Sequence, residues 1–164
     1  VTARTTVPYV RDTMSDRELE VWALLDVTPS MNWGTEGITK RDLGIAAIAT
    51  IGEVVELLST ATDQQRHREE VDFAFHKAVA DASNNHYYSS AMQALRSHIA
   101  VGMKLHGLAL MGPGRGLEKV LGEHRHIYEC IRDGNAERAR EQMRAHLEGS
   151  RNRLFEDRVL DLSL

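Results

Sequence analysis

The stretch Val71-Asp72-Phe73-Ala74-Phe75-His76-Lys77-Ala78-Val79 constrains the fold more than any other. Val71, Phe75, Ala78 and Val79 recur at helical spacing and give an amphipathic helix one apolar face. Asp72 and His76 lie one turn apart on an adjoining face, where a carboxylate and an imidazole can meet on one ion. Such a helix brings two metal ligands into the interior of a bundle. The question for the rest of the chain is whether it supplies the others.

Elsewhere the same period recurs, punctuated by caps and turns. Residues 1–15 lack a period and read as a tail or incoming linker. Leu19, Val21, Trp22, Leu24 and Leu25 mark a helix from Asp16 to about Asp26, and Pro29, Gly34 and Gly37 interrupt the segment after it. Thr39 and Asp42 form a capping-box start with a shorter acid. Ile45, Ile48, Ile51, Val54, Val55 and Leu58 then continue a helix to Ser59. A helix covers Glu69 to about Ala82. Asn85 caps a long one from His86 to about Leu110. Met111 to Gly116 is a Gly/Pro loop. The helix Leu117–Arg132 closes at Gly134, and Asn135 caps a last helix running to about Val159. No strand-like alternation of any length is found. The expectation is an all-α antiparallel bundle of six to seven helices, with the bundle domain spanning residues 16–160.

Composition narrows the function classes. A formal charge of −4 and a pI near 6.1 argue against this chain alone gripping nucleic acid. Cys130 is the only cysteine, which excludes an intrachain disulfide and a thiolate zinc cluster. The longest apolar run, Ile45 to Ile51, is too short to span a bilayer, and no signal peptide is seen. The expectation is therefore no membrane and a cytoplasmic location.

Histidine is abundant, with eight residues at 67, 76, 86, 98, 106, 124, 126 and 146. His124 and His146 lie on consecutive helices joined by a tight turn. At about 1.5 Å rise per residue they stand roughly 14 and 20 Å from that turn, a mismatch of about one turn. Asp72, His76, His124 and His146 thus form a candidate set from three helices. The N/O donors suit zinc, nickel, manganese or iron, and do not choose between them. His126 sits about 200° around the helix from His124, so both cannot face one ion. His67, His86 and His106 are read as surface residues.

Asp72-x-x-Phe75-His76 followed by Ala82-Ser83-Asn84-Asn85 resembles the signature of the FCD domain, the effector-binding domain of FadR-type regulators in the GntR superfamily. Glu123-His124-Arg125-His126-Ile127, the turn Asp133-Gly134-Asn135-Ala136, and Ala139, Met143 and Ala145-His146-Leu147 resemble its second half. The resemblance runs from about Leu43 to Leu154. It implies that Asp72, His76, His124 and His146 bind a divalent metal, with a small carboxylate effector at or beside it. It also implies a homodimer. Trp22 stands where the family usually carries an Arg in its first bundle helix. The family's winged helix-turn-helix has no counterpart here, so the chain is read as a fragment or a stand-alone sensing domain, reaching DNA only through such a module.

Arg96 and Asn85, with Trp22, are the candidate ligand-binding residues; Arg96 can pair with a carboxylate bidentately, and Asn85 is a cap first. The chain is read as a regulator and not an enzyme. The competing readings are a helical-bundle metalloenzyme acting on a small organic acid and a metal-free interaction module. Neither His-Glu-x-x-His nor the paired Glu-x-x-His of di-iron bundles is present.

Overall fold

The computed structural model describes residues 34–35, 37–111 and 116–155. Its elements are β1 (Gly34–Thr35), β2 (Ile38–Thr39), α1 (Lys40–Asp63), α2 (Glu69–Ala82), α3 (His86–Ala94), α4 (Arg96–Leu110), α5 (Gly116–Arg132) and α6 (Ala136–Phe155). The chain is an all-α helical bundle, with six helices among the described residues. The expected helix from Asp16 to Asp26 and the boundary at residue 16 lie outside them.

Local signals set the helix ends. Thr39 Oγ1 accepts from the Asp42 N–H at 3.1 Å, and the Thr39 N–H donates back to Asp42 Oδ2 at 2.8 Å, closing the capping box. The Tyr87 N–H donates to Asn85 Oδ1 at 3.1 Å and starts α3. At the end of α5, Gly134 adopts a φ of +70°. The Asn135 N–H reaches the Cys130 carbonyl and the Gly134 N–H reaches that of Ile131, a Schellman closure that glycine adopts without Cβ strain. Asn135 then caps α6 through the Arg138 N–H, so α6 leaves straight from the turn and packs on α5.

Two expectations on secondary structure change. A short antiparallel ladder pairs Gly34 with Thr39 and Thr35 with Ile38, around Gly37 at φ +80°. The expected long helix from His86 is two helices, because Leu95 has a ψ of 1° and interrupts the helical run.

The core joins Ile51, Val55 and Leu58 of α1, Val71, Phe75 and Val79 of α2, and Leu121, Ile127 and Ile131 of α5. The buried residues of α1 begin only at Ile51. Ile45, which opens the helical period of apolar residues, and Leu43 before it are more than half exposed. The reason is length: α1 has 24 residues and its neighbour α2 has 14, so α1 extends roughly 15 Å further at 1.5 Å per residue. The length of α1 also corrects the reading of apolar runs. Taken whole, α1 is long and apolar enough by length and composition to cross a membrane. The run Ile45–Ile51 underestimates it because apolar residues resume beyond the two isolated acids Glu53 and Glu56. One face of α1 nevertheless lies in the bundle core against α2 and α5.

Candidate metal centre

Asp72 and His76 project from α2, His124 from α5 and His146 from α6. Asp72, His124 and His146 are buried, at 5%, 1% and 4% exposure. The ring centroids of His124 and His146 lie 4.5 Å apart, those of His76 and His146 5.3 Å, and those of His76 and His124 5.6 Å. One ligand atom from each of these imidazoles lies within 4.8 Å of the others. Asp72 Oδ1 lies 3.2 Å from His124 Nε2 and 3.8 Å from His76 Nε2.

These atoms are close without being aligned as donor and acceptor. Asp72 Oδ1 and both ring nitrogens of His124 are buried and lack a hydrogen-bond partner. A buried polar atom left in that condition costs about 1–3 kcal/mol. A divalent cation that takes one His124 lone pair and the Asp72 oxygen satisfies two of these three atoms, so the donor set fits such an ion.

Burial favours the ligating, neutral form of His76 and His124. Burial pushes the His76 pKa down to about 3, with His146 and His124 adding to the effect and Asp72 opposing it. Burial likewise lowers that of His124, against the pull of Asp72. Burial opposes ionisation of Asp72, but the close approach of the His124 and His67 imidazoles, with His76 nearby, outweighs it and holds the carboxyl well below its usual range. Since the folded pKa of His76 lies below its ordinary 6.5, the unfolded chain binds a proton between those values that the folded chain does not. The stability contributed by neutral His76 is complete above pH 6.5 and is lost as pH falls toward about 3. Thermal melts of chelator-treated protein are therefore expected to show a steady loss of stability on acidification below pH 6.5; a flat profile from pH 6.5 to 4 would contradict this.

Glu123 fixes the orientation of His146. Its Oε2 lies 2.8 Å from His146 Nδ1, and Arg153 donates to both of its oxygens at 3.0 and 3.1 Å. Burial would raise the Glu123 pKa, but the bonds from His146 and Arg153 take it down to about 2. An ionised carboxylate only accepts, so His146 Nδ1 carries the proton and Nε2 presents its lone pair. Glu123→Gln is expected to weaken metal affinity about 10–100-fold, measured by competition with a chromogenic chelator.

The surface positions expected for His67 and His106 need correction. His106 is 6% exposed and the His67 side chain 12%. His67 Nε2 lies 3.4 Å from Asp72 Oδ2, and His106 Nε2 accepts from Arg153 Nε at 3.1 Å. The His67 ring is largely covered because Gly107 leaves room for it on α4: a Cβ there would overlap the imidazole, 2.7 Å from Cγ. His86 and His126 are exposed, as expected. Asn85 caps α3, and Arg96 is an exposed residue whose guanidinium lies 5.4 Å from the Phe73 ring centroid. Neither bonds to any of the four clustered side chains among the described residues. Trp22 lies outside them. Sequence reasoning misses Glu123 and Arg153; the acid directly before His124 is the available signal.

Comparison with known proteins agrees with this architecture. Residues 39–149 match the model of the FCD domain family, and residues 1–66 match a protein family of unknown function, DUF58. Trp22 therefore falls before the FCD match. Uncharacterized proteins of Mycobacterium bovis and Mycobacterium tuberculosis are 53% identical over 51 residues, covering 31% of this chain and 16% of theirs. The HTH-type transcriptional regulator LutR of Bacillus subtilis is 26% identical over 129 residues, 78% of this chain and 59% of LutR. The chain thus spans a small part of the mycobacterial relatives and just over half of the regulator. With two thirds of its length matching that family and a helical bundle folded around the matching residues, the chain belongs to the FCD domain family, the effector-binding domains of GntR-type regulators.

Proposed function

We propose that residues 16–160 form the effector-sensing domain of a FadR-type transcriptional regulator, which binds a divalent metal through Asp72, His76, His124 and His146. Zinc is the first expectation for the ion. A small carboxylate completes its coordination and is the signal. The observation that carries this reading is the buried convergence of three imidazoles on one carboxylate, with Asp72 Oδ1 and the His124 nitrogens lacking hydrogen-bond partners. Neutral imidazoles and a single carboxylate leave a bound dication with net positive charge, which favours an anionic oxygen ligand.

Binding would bias the packing of α2, α5 and α6, and so the spacing of DNA-binding modules attached in a homodimer. The winged helix-turn-helix, the dimer, the cytoplasmic location, the absence of a membrane role and the absence of catalysis belong to the same proposal. Asn85, Arg96 and Trp22 are proposed as effector-binding residues.

The test is calorimetric titration of the metal-loaded chain with a panel of small mono-, di- and hydroxycarboxylates, repeated after chelation. Binding of at least one acid is expected, and it should vanish with the metal. Equal binding to the chelated protein, or no co-purifying metal, would remove the reading; turnover of the acid would transfer support to the metalloenzyme.

A further inference from the structure

We propose that Asp72 bridges two divalent cations, the second held by His67 and His106 on its Oδ2 side. The proposal shares Asp72 with the first ion and so rests on the one-ion reading. Ligand atoms of His67, Asp72 and His106 lie within 4.8 Å of one another. Asp72 and His106 are more than nine-tenths buried. His67 Nε2, 3.4 Å from Asp72 Oδ2, is a buried nitrogen with no hydrogen-bond partner. The two oxygens of Asp72 thus face different imidazoles: Oδ1 meets His124 and His76, and Oδ2 meets His67. That is the arrangement by which one carboxylate spans a metal pair about 3.5–4 Å apart.

The second set comes from other parts of the fold. His67 lies in the α1–α2 connection and His106 on α4, neither of which supplies a ligand to the first ion. The five imidazoles and one carboxylate specify a nitrogen-rich site for manganese, iron, nickel or zinc, and disfavour magnesium and calcium. A single carboxylate between two dications leaves a large positive charge, so a hydroxide or an effector carboxylate must complete the pair. His106 Nε2 accepts from Arg153 Nε, a bond the second ion replaces. Arg153 keeps its two bonds to Glu123 and so remains charge-paired.

The experiment loads the chelator-stripped chain with Mn²⁺ and combines metal analysis with electron paramagnetic resonance. Wild type is expected to hold about 2 ions per chain with an exchange-coupled signal. His67→Gln and Gly107→Ala are each expected to reduce this to about 1 uncoupled ion, as in a mononuclear site. Gly107→Ala acts by displacing the His67 ring, and far-UV circular dichroism matching wild type in both variants separates lost metal from lost fold. One uncoupled ion in wild type overturns the second site and leaves the first intact. A coupled pair that survives both substitutions overturns the assignment to His67. Absence of any bound ion overturns both readings.

Discussion

Asp72→Ala is expected to abolish the stabilisation of the fold by divalent metal while changing the metal-free protein far less. Asp72 is the one carboxylate among the clustered imidazoles, and its oxygens lie nearest His124, His76 and His67. Without the ion it is a buried anion in a site where burial opposes its charge, so removing it from the metal-free protein relieves a desolvation cost as well as losing contacts. With the ion the balance reverses, because the carboxylate is the charged member of the ligand set and a cation facing imidazoles alone binds more weakly. At a free metal concentration about 1,000 times Kd, binding stabilises a folded state by about 4 kcal/mol. For a domain of this size that is a rise in Tm of about 10 °C. Thermal melts with and without excess Zn²⁺ or Mn²⁺ should show the rise in wild type and nearly none in Asp72→Ala. A variant that keeps the full metal-induced shift would show that the ion sits elsewhere.

How far these residues are legible in the sequence depends on whether local pattern fixes their direction. His76 is legible because it lies one turn from Asp72 and beside the apolar stripe of Val71, Phe75 and Val79, so burying the stripe carries both inward. His124 is separable from His126 because Val120, Leu121, Ile127 and Ile131 fix the inner face of α5. The Gly134-Asn135 closure makes α6 return along α5 and brings His146 beside His124. His67 is not legible in this way. It sits in a polar connection without a period, and its burial is decided by a missing side chain at Gly107 on a distant helix. His106 depends on the direction α4 takes after the interruption at Leu95, which no Gly or Pro announces. Ile45 shows the converse: its period is helical, but among the described residues the shorter α2 does not reach that part of α1 to bury it. Periodicity reports which face of a helix is apolar, and only packing lengths decide how much of that face is covered.

Phe75→Ala is expected to be the most destabilising single change in the core and to loosen the metal centre with it. Phe75 is fully buried and packs in one cluster with Ile51, Val55, Val79, Leu121 and Ile127. Its ring also stands edge-on to two of the imidazoles, 4.5 Å from His124 and 5.5 Å from His76 between centroids. Truncating a buried Phe to Ala costs about 3–5 kcal/mol, through lost transfer energy and the cavity left behind. Against a typical domain stability of about 5–15 kcal/mol that is a large fraction. Urea titration of the metal-free protein should show it as a fall in midpoint with the slope unchanged. Val79→Ala provides the control, because Val79 lies on the same helix and in the same core but carries no aromatic ring. It should cost about 1–3 kcal/mol and leave metal affinity near wild type once both variants are measured well inside their folded range. Phe75→Ala should also weaken affinity, since His124 would gain freedom to leave the geometry the ring imposes, and ordering it again costs about 0.5–1.5 kcal/mol. If both variants bound metal equally well, the ring would be a core residue alone and the orientation of His124 would be set by Asp72 and His146.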